Sequence, residues 1–339
     1  MDQDIEPGKH SFAELHFHVG QSVDPHVLWS LAHQQGIRLP SKDYHKFESM
    51  ITLKEGITSW THYHELFHWT ELIQSSPIAI EQSIYHIISG AYRRHNITLL
   101  EPSFNPIFRN RGGERDLDNI ILAALRGMEI ALLEFPQVKA GIIIALDRRL
   151  PYHLNEILVQ KAIRYHRRGI IGIDLGGPHK AGFDYKDYKN LYQLAQEAGL
   201  KTSVHTGEDG TPEEMKYVLN NLSLNRINHG IKATEDERIL DEIKSKDLTL
   251  CICPSSNIRL EMVRSIDHFR EIVQIFLKNN IKFCINTDSP AMFRTNLIKE
   301  FSFLLKHKIL TYEQILESNI NAFGATFINL PNKNDNLYL

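Results

Sequence analysis

The sequence predicts an α/β protein of the (β/α)8 TIM-barrel class, with a helical insertion after the first strand. Two observations support this: eight short apolar runs alternate with longer amphipathic patterns, and many of the runs are rich in Ile, Leu and Val. Such runs are typical of strands buried on both faces. The alternation indicates a parallel sheet, either open and doubly wound or closed into a barrel. Barrels often reach this length as one domain, so we expect a single domain over residues 1–339.

The predicted strands are the short apolar runs. In chain order they cover residues 12–17, 97–101, 139–146, 170–175, 202–205, 226–228, 248–252 and 281–285. Between them, apolar residues recur at i, i+3 and i+4, which is the spacing of one helix face. The predicted helices cover residues 25–32, 77–94, 115–133, 185–198, 212–219, 235–244, 266–278 and 313–321. Two of them have strong starts, because Asp24 and Thr211 are good N-cap residues and each is followed by proline.

A further helical segment of about residues 41–69 separates the first two predicted strands. We interpret it as an insertion that covers the barrel mouth as a lid. His64 and His68 in this segment have the i, i+4 spacing of a metal-binding pair. No further ligand accompanies them, and Glu65 is not placed as in the H-E-x-x-H motif of zinc proteases. An amphipathic lid helix is therefore the preferred interpretation.

Charge and cysteine content limit the possible partners. The formal net charge is −3 and the pI is about 6.7, which argues against a nucleic acid or an anionic membrane as the main partner. Three cysteines make no disulfide framework, and Cys251 and Cys253 are expected to be buried core thiols. No apolar run reaches the ~18 residues of a membrane span, and the acidic start lacks a secretory signal. We therefore expect a cytoplasmic protein.

Four of the predicted strands end in residues that bind metals. The first ends in His16 and His18, whose imidazoles point to the same side because side chains alternate along a strand. Later strands end in His205, His229 and Asp288. The carboxyl ends of all strands meet at one mouth of a barrel, where the active sites of this fold lie. Each residue alone could be structural, but together they predict one metal site that uses four of the 18 histidines.

These strand-end segments resemble the adenosine deaminase family of the metal-dependent amidohydrolase superfamily. In this chain they read H-F-H at 16–18, D-L-G-G at 174–177, H-T-G-E at 205–208, H-G at 229–230, C-P-S-S-N at 253–257 and T-D-S-P at 287–290. The family's counterparts, in the same order, read H-x-H, D-L-A-G, H-A-G-E, H-G, C-P-x-S-N and T-D-D-P. The resemblance covers about residues 13–323, which is nearly the whole chain.

The resemblance implies a hydrolase that acts on the C–N bond of a cyclic amidine. Its expected substrate is a 6-aminopurine nucleoside, adenosine or a modified adenosine, which a metal-bound hydroxide attacks at C6 to give the 6-oxopurine and ammonia. It implies one Zn²⁺ per chain, held by His16, His18, His205 and Asp288. Zinc suits this task because it lowers the pKa of a bound water to roughly 7. The fourth predicted strand, residues 170–175, has no lysine to bridge a second metal, so one ion is expected.

The resemblance also implies roles for residues around the metal. Glu208 matches the acid that protonates the purine ring, and His229 matches the histidine that orients and polarises the hydroxide. Asp288 and His229 can take the proton of the water. Gly177 matches the glycine whose backbone contacts the purine. The implied partner is a small purine molecule, and the oligomeric state stays open.

Two substrate-contacting positions depart from the family's pattern. Gly20 stands where the family has the aspartate that holds the sugar 5′-hydroxyl. Ser289 replaces the second aspartate of T-D-D-P, which contacts an imidazole nitrogen of the purine, although a serine hydroxyl can still donate one hydrogen bond there.

With the metal and acid residues unchanged, we expect a substrate other than, or looser than, plain adenosine. A modified adenine nucleoside, an adenine nucleotide and adenine base are the alternatives. A non-catalytic purine-binding relative, and a zinc hydrolase of another cyclic amide or a phosphoester, also stay open.

Overall fold

Eight parallel strands, each followed by helix, form a nearly closed barrel. The structure is a computed structural model that describes residues 5, 8–53, 60–110, 113–179 and 182–330, with only the helical backbone for 60–65. The strands are β1 (Phe12–His18), β2 (Ile97–Phe104), β3 (Lys139–Ala140), β4 (Ile142–Asp147), β5 (Ile170–Gly176), β6 (Lys201–Thr206), β7 (Arg226–His229), β8 (Thr249–Ile252) and β9 (Phe283–Ile285). The sheet order is β1-β2-β4-β5-β6-β7-β8-β9, and the two-residue β3 pairs beside β2. The predicted barrel class is confirmed.

Burial explains why these segments form strands. Every residue of β2, β7, β8 and β9 is buried, as are all but one residue in each of β1, β4, β5 and β6. The outer faces pack on helices and the inner faces fill the barrel, which matches the continuous apolar runs. All three cysteines, including Cys251 and Cys253, are free and buried, as predicted.

The barrel closes between β9 and β1 without a regular ladder. The Oδ1 atom of Asn286 accepts hydrogen bonds from the backbone N–H groups of Leu15 (2.8 Å) and His16 (3.1 Å). Beyond it, the N–H of His18 donates to the carbonyl of Asp288 (2.7 Å), and the N–H of Asp288 donates to the carbonyl of His16 (3.2 Å). A side chain and one isolated bridge therefore replace the strand pairing that β9 is too short to provide.

Thirteen helices surround the described part of the sheet. They are α1 (Pro25–Gln34), α2 (Tyr44–Ile51), α3 (Trp60–Ile73), α4 (Pro77–His95), α5 (Leu117–Glu134), α6 (Tyr152–Arg164), α7 (Lys189–Glu197), α8 (Pro212–Asn221), α9 (Glu237–Ser245), α10 (Pro254–Arg259), α11 (Ile266–Lys278), α12 (Leu297–Lys306) and α13 (Tyr312–Ala325). The predicted N-caps are confirmed, since Asp24 accepts from the N–H of His26 and Thr211 from that of Glu214. None of the described helices is long and apolar enough to cross a membrane.

Three of these helices, α6, α10 and α12, have no counterpart among the predicted helices. The apolar pattern of α6 and α12 is interrupted because a polar residue occupies the buried stripe, Asn155 in α6 and Glu300 in α12. Asn155 bonds to the backbone of Asp147, and Glu300 accepts from the N–H of Ser255. The remaining helix, α10, has six residues and is too short to show a period.

The predicted insertion corresponds to α2 and most of α3. Residues 54–59 and the side chain of His64 lie outside the described residues, so the predicted metal-pair alternative of His64 and His68 is not tested. His68 is exposed and its ring contacts that of Trp69 (5.2 Å between centroids). The lid role of residues 41–69 stays a prediction, as does the single-domain organisation.

Candidate active site

The predicted metal ligands and catalytic residues converge at the carboxyl ends of the strands. His16 and His18 lie on β1, two residues apart, with ring centroids 5.1 Å from each other. His205 lies near the end of β6 and contacts both of them, with centroid distances of 4.7 Å to His16 and 5.2 Å to His18. His229 ends β7 and lies 5.2 Å from the ring of His16. Asp288 follows β9 and completes the cluster.

Nitrogen and oxygen atoms of these residues point toward one another. The Nε2 atom of His18 lies 3.2 Å from Nε2 of His205 and 3.3 Å from Oδ1 of Asp288. Nε2 of His16 lies 3.9 Å from the same Oδ1 atom. Three overlapping groups keep their ligand atoms within 4.8 Å of one another; they are His16, His18 and Asp288, then His16, His205 and His229, then Glu208, His229 and Asp288.

One buried nitrogen supports a metal at this point. Nε2 of His16 is buried and has no hydrogen-bond partner among the described residues. A buried polar atom without a partner costs about 1–3 kcal/mol, so its position needs an explanation. Imidazole nitrogens with one carboxylate oxygen are a donor set that zinc prefers. The four predicted ligands, His16, His18, His205 and Asp288, therefore fit a zinc ion.

Backbone conformation aims two of these side chains. His229 and Asp288 adopt the left-handed region, with φ of 66° and 61°. Residues other than glycine rarely adopt it, and the strain costs about 1–3 kcal/mol for each. His229 is the last residue of β7 and Asp288 lies three residues after β9, where the turn in the chain directs the side chain into the mouth. Asp288 is held there by the two backbone hydrogen bonds to β1.

Asp174 on β5 orients His205 from behind. Its Oδ2 atom lies 2.8 Å from Nδ1 of His205, and its Oδ1 atom accepts from Ser203 Oγ (2.9 Å) and Asn228 Nδ2 (2.8 Å). Burial raises the pKa of Asp174, but the charge and hydrogen bond of His205 outweigh it and lower the pKa to about 2. A charged carboxylate at Nδ1 keeps the proton on that nitrogen and leaves Nε2 free to bind a metal.

Three further side chains hold His18, Asp288 and His229 in place. Ser103 Oγ lies 3.2 Å from Nδ1 of His18, Ser256 Oγ donates to Oδ2 of Asp288 (2.5 Å), and Asn257 Nδ2 lies 3.3 Å from Nδ1 of His229. These supporting residues, with Asp174, are not among the predicted site residues. Asp174, Ser256 and Asn257 lie in segments that carry the family resemblance. Their position in those segments is the sequence signal that could have identified them.

The environment of Glu208 favours its protonated form. Burial, followed by the nearby charge of Asp288, raises the pKa of Glu208 to about 8. Its Oε2 atom lies 3.5 Å from Nε2 of His229. Burial lowers the pKa of His229 to about 3, which keeps that imidazole neutral. A carboxylic acid that can donate a proton thus faces a neutral imidazole across the mouth.

The three predicted substrate-contacting residues surround this cluster. Gly177 has φ of 84°, and a Cβ placed there would lie 2.7 Å from Oδ2 of Asp147, so the position admits no side chain. Ser289 is buried, and its hydroxyl lies 3.5 Å from Oδ1 of Asp288. Gly20 follows β1 in a buried turn, and its carbonyl accepts from Nε2 of Gln74 (2.9 Å). Their contacts with a purine stay predictions.

A comparison with protein families matches residues 12–337 to the family described as adenosine deaminase. Among curated proteins, the chain is similar to adenosine deaminase of Clostridium kluyveri, with 27% identity over 314 residues (93% of this chain and 88% of the relative). It is similar to the same degree to adenine deaminase of Bordetella avium, with 27% identity over 321 residues (92% of this chain and 96% of the relative).

Solved structures share the fold. Adenine deaminase from Arthrobacter aurescens has a TM-score of 0.79 at 22% identity, over 94% of both chains. An amidohydrolase from Burkholderia ambifaria with bound Zn has a TM-score of 0.79 at 17% identity, over 94% of this chain and 86% of that one. Arabidopsis ADAL complexed with GMP has a TM-score of 0.79 at 20% identity, over 95% of this chain and 94% of that one.

Proposed function

Since the chain belongs to the adenosine deaminase family, we propose that it is a zinc-dependent hydrolase that removes the 6-amino group of a 6-aminopurine nucleoside. The products are the 6-oxopurine nucleoside and ammonia. Family members are hydrolytic deaminases that act on C–N bonds, and the curated relatives named above are of this kind. The observation that carries the proposal is the cluster of His16, His18, His205 and Asp288 beside a half-buried Glu208 whose pKa is raised to about 8.

Zinc is the ion that the donor set supports best. His16, His18, His205 and Asp288 would hold it, and the unpartnered Nε2 atom of buried His16 is the strongest sign that a cation belongs there. When bound, zinc supplies a nucleophile at neutral pH because it lowers the pKa of a water ligand to roughly 7. The similar amidohydrolase from Burkholderia ambifaria contains Zn, which agrees with this choice.

Glu208 serves as the general acid. Hydrolysis at C6 pushes negative charge onto the adjacent ring nitrogen, and a proton delivered there stabilises that charge. Because burial and Asp288 hold the pKa of Glu208 at about 8, its carboxyl carries a proton at neutral pH. The acid lies in the turn after β6, three residues beyond the ligand His205, so the same strand positions both.

His229 and Asp288 handle the proton of the attacking water. His229 is neutral at neutral pH, and its Nε2 atom faces the mouth 3.5 Å from Glu208, so it can orient the attacking water by a hydrogen bond while Asp288 takes the proton of that water. Asn257 fixes the other ring nitrogen at 3.3 Å. Gly177 offers its backbone to the flat purine because no side chain fits there, and Ser289 presents a hydroxyl nearby.

Besides a nucleoside, two other forms of the substrate are candidates: adenine base and an adenine nucleotide. The relatives include adenosine and adenine deaminases at equal identity, which leaves adenine base as a candidate. The structurally similar ADAL of Arabidopsis was solved with GMP, which favours considering an adenine nucleotide. A non-catalytic purine-binding role is disfavoured, because every metal-ligand position and the acid are present.

The test combines metal analysis with an ammonia assay. We expect about one zinc per purified chain, and ammonia released from at least one of adenine, adenosine, N6-methyladenosine and AMP. Chelation should abolish release and added zinc should restore it. A chain that binds no zinc and releases no ammonia from any of these purines would refute the proposal and favour the binding role.

A further inference from the structure

One buried glutamate on an outer helix has no part in the proposed mechanism. Glu300 lies on α12, which packs against β9 and α10, and it is fully buried. Its Oε2 atom accepts from the backbone N–H of Ser255 (3.0 Å), and its Oε1 atom accepts from the hydroxyl of Thr295. A buried carboxyl costs stability unless its oxygens are hydrogen-bonded, so these two partners explain why Glu300 can stay there.

The bond to Ser255 caps the short helix α10. A helix begins with N–H groups that have no partner within it, and the residue before the helix normally caps them with a side-chain oxygen. That residue is Cys253, whose thiol instead donates to the carbonyl of Cys251 (3.7 Å). Pro254, the first residue of α10, has no N–H, so Ser255 presents the first N–H of the helix. Glu300 thus supplies from another helix the cap that the local sequence lacks.

The two contacts of α10 with the candidate active site lie directly after this cap. Ser256 donates to Oδ2 of Asp288 (2.5 Å), and Nδ2 of Asn257 lies 3.3 Å from Nδ1 of His229. Ser256 and Asn257 are fully buried and occupy consecutive positions after Ser255. A shift of this first turn would therefore displace the partners of a predicted metal ligand and of the histidine that orients the water.

The far end of α10 is held as well. Arg259, the last residue of the helix, donates to the carbonyls of Leu53 (3.2 Å) and Phe293. The N–H of Leu53 in turn donates to the carbonyl of Met292 (2.8 Å). Because Arg259 holds one end and Glu300 the other, the position of the helix at the mouth depends on both contacts.

We propose that Glu300 is a positioning residue for the deamination: by holding the first turn of α10, it keeps Ser256 against Asp288 and Asn257 against His229. The proposal rests on the proposed function and adds to it a residue of an outer helix. Errors of position are costly in catalysis, because a displacement of about 1 Å can slow a reaction roughly 100-fold.

Two substitutions of Glu300 differ in whether they keep an acceptor for Ser255. Glu300→Met has a similar volume and removes both acceptors, whereas Glu300→Gln keeps an oxygen for Ser255 and can donate its amide to the hydroxyl of Thr295. With zinc bound, we expect Glu300→Met to lower kcat about 10- to 100-fold and to leave KM within about threefold, because the predicted purine contacts lie outside α10. Glu300→Gln should keep kcat within about fivefold, since it retains the cap.

A double-mutant cycle shows whether Glu300 acts through α10. In a chain that already carries Ser256→Ala and Asn257→Ala, the contacts that Glu300 is proposed to hold are gone, so Glu300→Met should lower kcat by no more than about twofold further. Asn319→Ala is the matched control, because Asn319 is buried on α13 and accepts from the N–H of Ala13 (3.1 Å) at the opposite end of the barrel. It should lower the free energy of unfolding but leave kcat within about twofold.

Zinc affinity gives a readout that does not depend on turnover. Ser256 holds Asp288, one of the four expected ligands, so Ser256→Ala should weaken zinc binding about 10- to 100-fold in competition with a chelator. Glu300→Met should weaken it about 3- to 10-fold alone and no further in the Ser256→Ala chain. Unchanged kcat and zinc affinity in Glu300→Met would overturn the positioning role.

The positioning role and the proposed function fail in different ways. If purines are deaminated and the loss in Glu300→Met adds in full to the losses of the α10 variants, Glu300 contributes only stability and the positioning role is wrong. If no purine is deaminated, the proposed function is wrong, and the zinc cycle alone decides whether Glu300 holds Asp288. If Glu300→Met does not fold, Thr295→Val takes its place in both cycles, because it removes the other partner of the carboxyl; a smaller loss that disappears in the α10 variants is then expected, and an additive loss would overturn the role.

Discussion

At the residue scale, burial and nearby charges give the side chains of the candidate site protonation states that differ from those they would have in water at the same pH. Glu208 holds its proton up to about pH 8, and His229 stays neutral down to about pH 3. Asp174 stays charged because its hydrogen bonds and the nearby imidazole of His205 outweigh the cost of burial. One carboxyl is thereby an acid and another an anion, although both lie at the same mouth of the barrel.

Glu208→Gln should separate chemistry from metal binding. The amide has the same shape but cannot deliver a proton, so we expect turnover to fall about 10²–10⁴-fold, the usual contribution of general acid catalysis. Zinc content should not change, because Glu208 is not among the four expected ligands. Activity within about threefold of the unmodified enzyme would remove the proposed acid.

The pH dependence of turnover should report the same group. The pKa of Glu208 is raised from 4.5 to about 8, so the active, protonated form predominates below pH 8 and is lost above it. We expect kcat/KM to decline as pH rises through about 8, tenfold per unit well beyond that point. A flat profile between pH 7 and 10 would contradict the assignment.

Asp174→Asn should lower the affinity for zinc, although Asp174 is not one of the predicted ligands. An amide can offer either an oxygen or a nitrogen to Nδ1 of His205, so the imidazole is no longer held in one tautomer. Outer partners of this kind typically contribute 10- to 100-fold to metal affinity, and we expect a loss in that range by zinc titration. Ser203→Ala, which removes only one hydrogen bond to Asp174 (2.9 Å), is the control and should change affinity much less. Unchanged affinity in Asp174→Asn would show that His205 needs no such support.

At the element scale, closure of the barrel depends on a residue that no periodicity predicts. One isolated bridge joins Phe17 of β1 to Asp288 in the segment after β9, and Asn286 supplies two of the hydrogen bonds between that segment and β1. The same strand β1 carries His16 and His18. The geometry of these two predicted metal ligands is therefore coupled to the closure of the sheet.

Asn286→Ala should destabilise the fold and weaken the site together. Two buried backbone N–H groups, of Leu15 and His16, would lose their acceptor at about 1–3 kcal/mol each. We therefore expect the free energy of unfolding, measured in urea, to fall by about 2–6 kcal/mol. Asn321→Ala removes a single bond to the carbonyl of Phe283 (3.2 Å) and should cost about 1 kcal/mol. Equal losses in the two variants would contradict the closing role of Asn286.

The boundaries of the strands and helices show where hydrophobic periodicity predicts the structure correctly and where it does not. All eight predicted strands are confirmed as strands of the barrel, although the run at 139–146 divides into β3 and β4 at Gly141. The predicted helix at 185–198 begins with a 3₁₀ turn, Tyr185–Tyr188, before α7. Helices α6 and α12 escape prediction because Asn155 and Glu300 are buried polar residues that only their tertiary partners satisfy.

At the scale of the whole molecule, the two ends of the barrel have different tasks. Below the site, Arg226 at the start of β7 is fully buried, pairs with Glu101 (2.8 Å) and lies 4.0 Å from the centroid of the Phe327 ring. Three residues further along the same strand, His229 opens into the mouth. In this fold, the end of the barrel opposite the active site contributes stability, and its packing supports the chemistry at the mouth.

Zinc should stabilise the entire folded chain. An ion that binds only the native state adds RT ln(1 + [L]/Kd), about 2.7 kcal/mol when its free concentration is 100 times Kd. We expect the thermal midpoint of chelated protein to rise by several degrees when zinc is added, and Asp288→Asn to reduce the rise. Magnesium at equal concentration is the control. A midpoint that zinc does not change would contradict binding to the folded state.

The sequence by itself determined the fold class and the set of residues at the mouth. In a parallel barrel the carboxyl ends of all strands meet, so His16, His18, His205, His229 and Asp288 could be placed together from their position after apolar runs alone. Only the tertiary structure decided what holds and surrounds them. The guanidinium of Arg109 packs against Gly20, which lies in a turn 89 residues earlier in the chain, and Asp288 adopts its left-handed backbone at the bridge to Phe17 of β1. Such contacts depend on how loops distant in the chain pack on one another, and the local sequence pattern of each loop does not show that packing.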